Sequence, residues 1–447
     1  MTTATKPEIL PPSENPYEDF RYFYREGMPL RPAPGRRTDK PSWSTLRHNL
    51  FDNWHDVKDN WEGYNSEQTR LLDDHMWQCD EKGAAVAKMF KRIGPEKARA
   101  DFETALNRGI DKVENPEPEL VDFFEDVDNI PAWIDMEAAE RGRIAYYNVT
   151  KTSEILSIGF AYWATTMEDR TSAATGETQM FAIKAMQRSI ETAKFFVDLG
   201  RDDVFDRYSE GLKSAVHVRL LHAQANRGLE KLWGPEHYNT FGRPIGSSFL
   251  VSGEGWFALM PLAVDEFFGR SHSGQEWDDV AMYWAYILHM MGAEEHIIPK
   301  NGDEMRKMTD HIYANGGMSS SYQQEVATAL MTILEKLHPL MPIIVLGALS
   351  NIIGTKDTRF MVRGTKWEKL NFRPIGIIYG AAARADAALT SLRDKLPGAE
   401  KAKIKRAHNG KPPWDAVLKM IEDHAKKNEP EVAVKWDLHD NSKEAKI

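Results

Sequence analysis

Apolar residues recur at intervals of three and four along most of the chain, which is the spacing of amphipathic α-helices. This pattern runs from about residue 61 to 395, and the alternation of apolar and polar residues that marks β-strands is scarce there. The pattern predicts that one helix stops at Gly200 and that Asp206 is the N-cap of the next. The pattern predicts an all-α protein with a single large helical domain over 61–395. The predicted helices are 63–82, 95–109, 136–166, 177–199, 207–232, 245–269, 274–293, 301–315 and 320–350.

The two ends of the chain differ from this helical body. Residues 1–60 contain the non-helical strings PPSENP and RPAPGRRTDKPSW together with many aromatic side chains. They predict an extended arm that packs its aromatic rings onto the body. Residues 396–447 are charged and lysine-rich, with KAKIKRAHNGKPPW followed by one short amphipathic helix. Such a composition is typical of a solvated tail.

Composition narrows the function further. The formal net charge of -10 argues against general nucleic-acid binding, which requires clustered positive charge. Cys79 is the single cysteine, so an internal disulfide and a site built from several thiolates are excluded. The N-terminal sequence MTTATKPEILPPSENPYEDF has neither a basic start nor an apolar run, and we therefore expect a cytoplasmic protein.

The longest uncharged stretch, LHPLMPIIVLGALSNIIG, covers residues 337–354. Its 18 residues reach the lower limit for a membrane-spanning helix. Two prolines and several polar residues favour a buried core helix instead. We expect no transmembrane span, and contact with a membrane surface stays open.

Most standard catalytic signatures are missing from the sequence. It contains no G-x-G-x-x-G, no P-loop, no nucleophile elbow, no H-E-x-x-H and no paired E-x-x-H motifs. Glu294, Glu295 and His296 are adjacent, but they lack the spacing that would direct two ligands at one metal. A metal site made from several side chains is therefore not predicted.

Two histidines lie five residues apart in AVHVRLLHAQANRG. At about 100° per residue, His217 and His222 are separated by roughly 140° around a helix and cannot easily share one metal. His222 has the small Ala223 and Ala225 nearby, which would leave room for a flat macrocycle. Spacing alone leaves two interpretations open, a core histidine and a single ligand.

The preceding predicted helix places Arg188, Glu191 and Thr192 on one face, at positions i, i+3 and i+4. The simplest interpretation of Arg188 and Glu191 is a helical ion pair. The alternative is a polar patch above a cofactor, offering a guanidinium, a carboxylate and a hydroxyl group.

The order of these motifs resembles the latex-clearing protein and MpaB oxygenase family. The resemblance rests on R-x-x-x-T at Arg188 and Thr192, followed by V-R-L-L-H-A ending at His222. GRPI at 242–245, the string at 284–305 and LHPLMPIIVLGAL at 337–349 support it, over roughly residues 140–365. The resemblance implies a haem b protein with a globin-like all-α core and additional helices. Members of the family use dioxygen to cleave carbon–carbon double bonds in polyisoprene, or a prenyl side chain on a small molecule.

Residue roles also follow from the resemblance. His222 matches the axial ligand of the haem iron, and Arg188 and Thr192 match the residues above the distal pocket. Arg219 matches an arginine near the haem, for which a propionate contact and a structural contact are both open. Glu191 stands where some latex-clearing proteins have a lysine that caps the iron. Glu177 and Glu191 are two candidates for the acidic base that the family uses.

The resemblance therefore implies an enzyme, a haem-dependent oxygenase acting with O₂ on an alkene or an isoprenoid-like hydrophobic substrate. Characterised polymer-cleaving members are secreted, so the expected cytoplasmic location points to a smaller substrate. Glu191 in place of lysine keeps a second hypothesis open, a haem or hydrophobic-ligand binding protein without turnover. A purely structural helical protein is the third.

Overall fold

The structure is a computed structural model that describes residues 27, 29–34, 43–51, 66–177, 180–315, 320–411 and 414–428. These residues form helices and connecting turns and contain no β-strand, which confirms the predicted all-α fold. A π-helical turn at Gly255–Leu259 and two short 3₁₀ turns at Ile110–Lys112 and Glu295–Ile297 complete them. The α-helices, numbered in chain order, are α1 (Ser44–Leu50), α2 (Glu67–Asp74), α3 (Glu81–Ile93), α4 (Pro95–Arg108), α5 (Pro118–Asp128), α6 (Met136–Tyr147), α7 (Lys151–Met167), α8 (Asp169–Glu177), α9 (Met180–Leu199), α10 (Glu210–Phe241), α11 (Ser247–Glu254), α12 (Met260–Phe267), α13 (Gly274–Met290), α14 (Gly302–Asn315), α15 (Gln323–Leu337), α16 (Met341–Leu349), α17 (Gly354–Met361), α18 (Arg373–Asp394), α19 (Ala399–Asn409) and α20 (Asp415–Asn428).

Tertiary contacts interrupt the helix predicted over 136–166, which is instead α6 and α7. The break is at Thr150, whose side chain accepts the backbone N–H of Ser153 at 3.2 Å and caps α7. The backbone N–H of Thr150 donates in turn to the fully buried carboxylate of Asp265, at 3.2 Å. Because Asp265 lies more than a hundred residues away, local spacing could not indicate this break.

The boundaries of α9 and α10 are partly as predicted. Helix α9 ends at Leu199, so Gly200 is its stop. Asp206 is not the cap of the next helix, because turns continue past it to Ser209. The hydroxyl oxygen of Ser209 accepts the backbone N–H of Leu212 at 3.1 Å, and this bond caps α10.

The described part of the predicted N-terminal arm lies against the body, but it is not extended throughout. Residues 44–50 form α1, and Trp43 before it packs edge-on against Trp163 with ring centroids 4.8 Å apart. Arg47 forms a fully buried ion pair with Asp310, at 2.5 Å. The remainder of the predicted arm lies outside the described residues.

The C-terminal segment also differs from the expected solvated tail. It forms two helices, α19 and α20, before the described residues end at Asn428. The indole of Trp414 stacks on Phe196 of α9 with ring centroids 4.9 Å apart, and Ile421 of α20 is buried. These apolar contacts dock the segment on α9, one of the helices that form the site below.

Helices α11 and α12 form one apolar run with the π-helical turn between them. Pro261 lies at the start of α12, and its ring nitrogen cannot donate a hydrogen bond to the preceding turn, which explains the local widening. Among the described residues, this run, Ser247–Phe267, is long and apolar enough to span a membrane by length and composition. Since 80% of its most apolar window is buried inside the protein, it fits a core helix equally well. The helix predicted over 320–350 is divided into α15 and α16, and within the apolar stretch 337–354 the core helix is the shorter α16, Met341–Leu349.

Candidate functional site

Helices α8, α9 and α10 and the segment 244–257 enclose a cavity of about 290 Å³, here called the His222 cavity. Its volume is at the lower end of the range of roughly 300–1,000 Å³ typical of small-molecule sites. Apolar and aromatic side chains form most of its wall, with two arginines and one histidine among them. The lining residues are Arg170, Thr171, Ala174, Thr175, Arg188, Leu221, His222, Ala225, Leu229, Pro244, Ile245, Phe249, Leu250, Gly253, Trp256 and Phe257.

His222 presents an imidazole to this cavity. It shares the cavity-facing side of α10 with Leu221, Ala225 and Leu229, which follow each other at four-residue steps. Its Nδ1 atom is buried and has no hydrogen-bond partner within the described part of the chain. Burial, followed by the positive charge of Arg188, lowers the pKa of His222 to about 4. The ring is therefore neutral near pH 7, the form that binds a metal.

His217 occupies a different side of α10. Its Nε2 atom lies 2.8 Å from a carboxylate oxygen of Glu103, and its ring lies 6.1 Å from that of Phe102. Neither contact belongs to the His222 cavity. The five-residue step thus directs the two histidines to different surroundings, as helical geometry predicts.

Arg188 also lines the cavity, and a buried carboxylate holds it in place. Its Nη1 atom donates to Glu191 at 2.9 Å, while the side-chain amide of Gln187 donates to the other oxygen of Glu191 at 2.9 Å. Glu191 is only 5% exposed. Arg188 and Glu191 therefore form the predicted helical ion pair, and the arginine of that pair also faces the cavity, as the polar-patch interpretation requires for Arg188.

Thr192 does not line the cavity and is exposed. Relative to Arg188, a step of three residues turns Glu191 to one side and a step of four turns Thr192 to the other. The inward side of α9 lies toward Glu191. The structure therefore brings Arg188, Glu191 and His222 together, and it does not bring Thr192 to the lining.

Glu177, the other candidate base, is not part of the cavity lining either. Its carboxylate accepts a hydrogen bond from the phenol of Tyr322, whose ring packs against Gly176. Of the two candidates, only Glu191 contacts a residue that lines the His222 cavity.

Arg219 is engaged in a buried ion-pair network away from the cavity lining. Its Nε and Nη2 atoms donate to the two carboxylate oxygens of Asp80 at 2.6 and 2.9 Å. Its Nη1 atom donates to Asp126 at 2.8 Å, and its guanidinium carbon lies 4.5 Å from the ring centre of Phe123. A propionate contact and a structural contact were both open for Arg219, and this network is a structural contact.

Sequence reasoning did not identify Arg170, which lines the cavity from α8. Its guanidinium lies over the ring of Phe249 at 4.7 Å, and its Nη1 atom is buried without a partner among the described residues. Thr171, Ala174 and Thr175 line the cavity beside it. This helix face of small and polar residues is the sequence feature that could have indicated a cavity next to Arg170.

A second, much smaller pocket of about 10 Å³ adjoins the cavity at Arg170, Phe249 and Trp256. The indole N–H of Trp256 and the hydroxyl of Tyr313 line it and are buried, without partners in the described segments. A space of this volume, with several polar groups around it, is about the size that holds one ordered water molecule.

No group of three or more His, Cys, Asp or Glu side chains within the described residues is arranged to hold a metal ion. His222 is a single imidazole facing a largely apolar cavity. One axial imidazole is the protein ligand that a haem iron requires, since the macrocycle supplies the other four nitrogen ligands. The residues present therefore fit a haem better than a metal ion held by protein ligands alone.

The chain is similar to known proteins in sequence and in fold. Residues 149–354 match the family model described as ER-bound oxygenase mpaB/B'/Rubber oxygenase, catalytic domain, and this range includes every residue that lines the His222 cavity. A solved structure of latex clearing protein in its closed state is similar in fold, with a TM-score of 0.52 and 17% sequence identity. That similarity covers 79% of this chain and 90% of the other. Comparison with curated proteins gives no match. Residues 149–354 are thus similar in sequence to the catalytic domain that mpaB and rubber oxygenases share.

Proposed function

We propose that this protein is a haem b-dependent oxygenase that acts with O₂ on an alkene or an isoprenoid-like hydrophobic substrate, with His222 as the axial ligand of the iron. One observation carries the proposal. His222 presents a neutral imidazole to the cavity, with its buried Nδ1 atom unpartnered among the described residues. Leaving a buried polar atom without a partner costs about 1–3 kcal/mol, so an interaction with a bound group at this ring would remove a real penalty.

When bound, the haem would supply the oxygen chemistry, which no amino-acid side chain provides. The protein would supply the surroundings. Phe249, Trp256 and Phe257 form an apolar wall that excludes water and accepts a hydrocarbon chain. Arg188 contributes a positive charge to this apolar space, where it stabilises an anion more strongly than it would in water.

Glu191 would act on Arg188 by fixing its position. It is held by both Gln187 and Arg188, so it orients the guanidinium and balances its charge. Because Gln187 and Arg188 engage both of its oxygens, Glu191 would not take the capping role that a lysine has in some relatives. We therefore propose that no lysine cap forms in this chain and that Arg188 would border the space left for a small molecule when haem is bound.

The first experiment is a visible spectrum of the purified chain with a pyridine haemochrome assay. We expect a Soret band and the haemochrome of haem b. His222→Gln should abolish the band, and His217→Gln is the matched control, because it changes the same residue type on the same helix outside the cavity. A colourless protein that does not bind added haem would refute the proposal.

A second experiment separates an oxygenase from a non-catalytic binding protein. Oxygen consumption and carbonyl products are measured with prenyl or terpene substrates. Arg188→Gln should slow the reaction while the Soret band is retained. A haem-loaded wild type that consumes no oxygen with any of these substrates would favour the binding protein. The cytoplasmic location stays a prediction, and activity on solid rubber in culture medium would contradict it.

A further inference from the structure

Helix α18 presents large apolar side chains outward. Ile377 is 66% exposed and Leu389 is 67% exposed, and Ile378 and Leu392 are exposed to a similar extent. Leu396 continues the same face just after the helix ends. Ile377 and Ile378 lie near the start of the helix, and the three leucines lie near its end. The exposed alanines at 381, 385 and 388 lie on the same face between the two groups, so together they form one apolar face, here called the α18 ridge. At about 1.5 Å per residue, the helix is about 33 Å long.

The inward face of α18 has the opposite composition, because its buried residues are all small. They are Gly376, Gly380, Ala383, Ala387 and Thr390. A Cβ atom on Gly376 would lie 2.8 Å from the carbonyl oxygen of Gly347, so glycine lets α18 lie directly on α16. A surface helix of a water-soluble protein normally turns its large apolar residues inward. Here the large apolar residues of the ridge remain outside, and packing among the described residues does not explain them.

The charges of α18 are also sorted by face. Arg373, Arg384 and Arg393 are exposed. The two acidic residues are engaged inward, since Asp386 accepts the hydroxyl of Thr152 at 3.0 Å and Asp394 accepts Arg270 at 2.9 Å. At about 100° per residue, the ridge covers an arc of roughly 120°, with arginines along both edges. The exposed charge beside the ridge is therefore cationic.

We infer that the α18 ridge docks the protein on an anionic lipid surface. A helix with an apolar face and flanking basic residues lies in the plane of a membrane interface, with the apolar side chains among the acyl chains. The arginines would then lie at the level of the headgroups, where anionic lipids attract them. A second copy of the chain is a poorer occupant, because a two-fold contact would bring two sets of the same arginines together.

This inference does not depend on the haem proposal, because α18 lies outside both the His222 cavity and the family match at 149–354. It adds a route for the substrate. A hydrophobic molecule dissolved in a membrane is available to a protein held at its surface without first crossing water.

Flotation of the full chain with phosphatidylcholine vesicles, with and without phosphatidylserine, tests the inference. We expect binding to the vesicles that contain phosphatidylserine, and we expect it to weaken as salt is added. Leu389→Gln should lower the partition constant about tenfold, from the loss of one buried leucine side chain. Arg384→Gln should lower it about fivefold, the equivalent of one basic residue near an anionic surface.

Leu232→Gln is the matched control, because Leu232 is 49% exposed on α10, and we expect it to bind as the wild type does. The substituted side chains on α18 are exposed, so thermal unfolding should remain unchanged in each variant. Absence of vesicle binding, or binding that Leu389→Gln leaves intact, would overturn the inference. So would a dimer in light scattering that Leu389→Gln dissociates while vesicles remain unbound, because that result assigns the ridge to self-association.

Discussion

Glu294 provides a test of the electrostatics around the buried ion pairs. Burial, and after it the negative charge of Asp80, raise the pKa of Glu294 from 4.5 to about 7, against the opposing effect of Arg219. At about 1.4 kcal/mol per pKa unit, this rise amounts to about 3 kcal/mol. That figure is the free energy by which the folded protein holds this proton more tightly than the unfolded chain does.

The sign of the pH dependence follows from the direction of this shift. Below pH 4.5 the carboxyl is protonated in both states, and the stabilisation from its proton is fully present. As the pH rises toward 7, the unfolded chain releases this proton before the folded protein does, so stability falls through that interval. Above pH 7 the folded protein carries a buried carboxylate near Asp80, and the stabilisation that the proton provided is lost completely.

Glu294→Gln removes the titrating group while keeping a similar shape. We expect this variant to be more stable than the wild type by up to about 3 kcal/mol at pH 8, with a much smaller difference at pH 4.5. Urea unfolding at several pH values measures both quantities. Glu295→Gln is the control, because Glu295 is the next residue in the chain and its side chain is exposed. A difference between Glu294→Gln and wild type that stays constant with pH would refute the reasoning.

Two further substitution experiments and one pH series test other parts of the structure. Arg219→Met leaves Asp80 and Asp126 without their shared guanidinium, and we expect it to lower the free energy of unfolding by about 3 kcal/mol in urea denaturation. Loss of haem from a fully stable Arg219→Met protein would instead assign this arginine to the haem. The pKa of about 4 for His222 predicts that bound haem, followed by Soret absorbance, remains down to about pH 5. Release with a midpoint near 6.5, the ordinary value for histidine, would contradict that expectation. Gly142→Ala would place a Cβ atom 1.9 Å from the carbonyl oxygen of Asp279 and should destabilise the protein by about 2 kcal/mol, whereas Gly228→Ala meets nothing within 4 Å and should not destabilise it. Equal thermal unfolding of these two glycine variants would disprove the close approach at Gly142.

The helical class was predictable because apolar spacing is a local property. The same geometry separated His217 from His222, since a five-residue step fixes their angular distance whatever surrounds them. The breaks between helices were harder to predict from the sequence. The break before α7 depends on Asp265, which a local pattern cannot connect with Thr150.

The individual side chains of the site show the same limit. Arg188 and Thr192 satisfy the i, i+4 rule for sharing a face, yet only Arg188 lines the cavity. The rule gives relative positions on a helix and not the direction of the helix in the fold. Arg170 was missed for a similar reason, because an arginine in DRTSAATGE looks like any solvated residue until the placement of Phe249 is known.

The π-helical turn at Gly255–Leu259 contains one more residue than an α-helical path between α11 and α12 would need. Deleting a single residue there would restore regular winding and leave α11 and α12 where they lie, because the π-helical turn absorbs the extra residue. Phe249, Leu250 and Gly253 of α11 would stay in the cavity wall, whereas the side chains within the turn, Trp256 and Phe257, would change direction. The length of the turn therefore sets the direction of these two aromatic side chains, independently of the helices on either side.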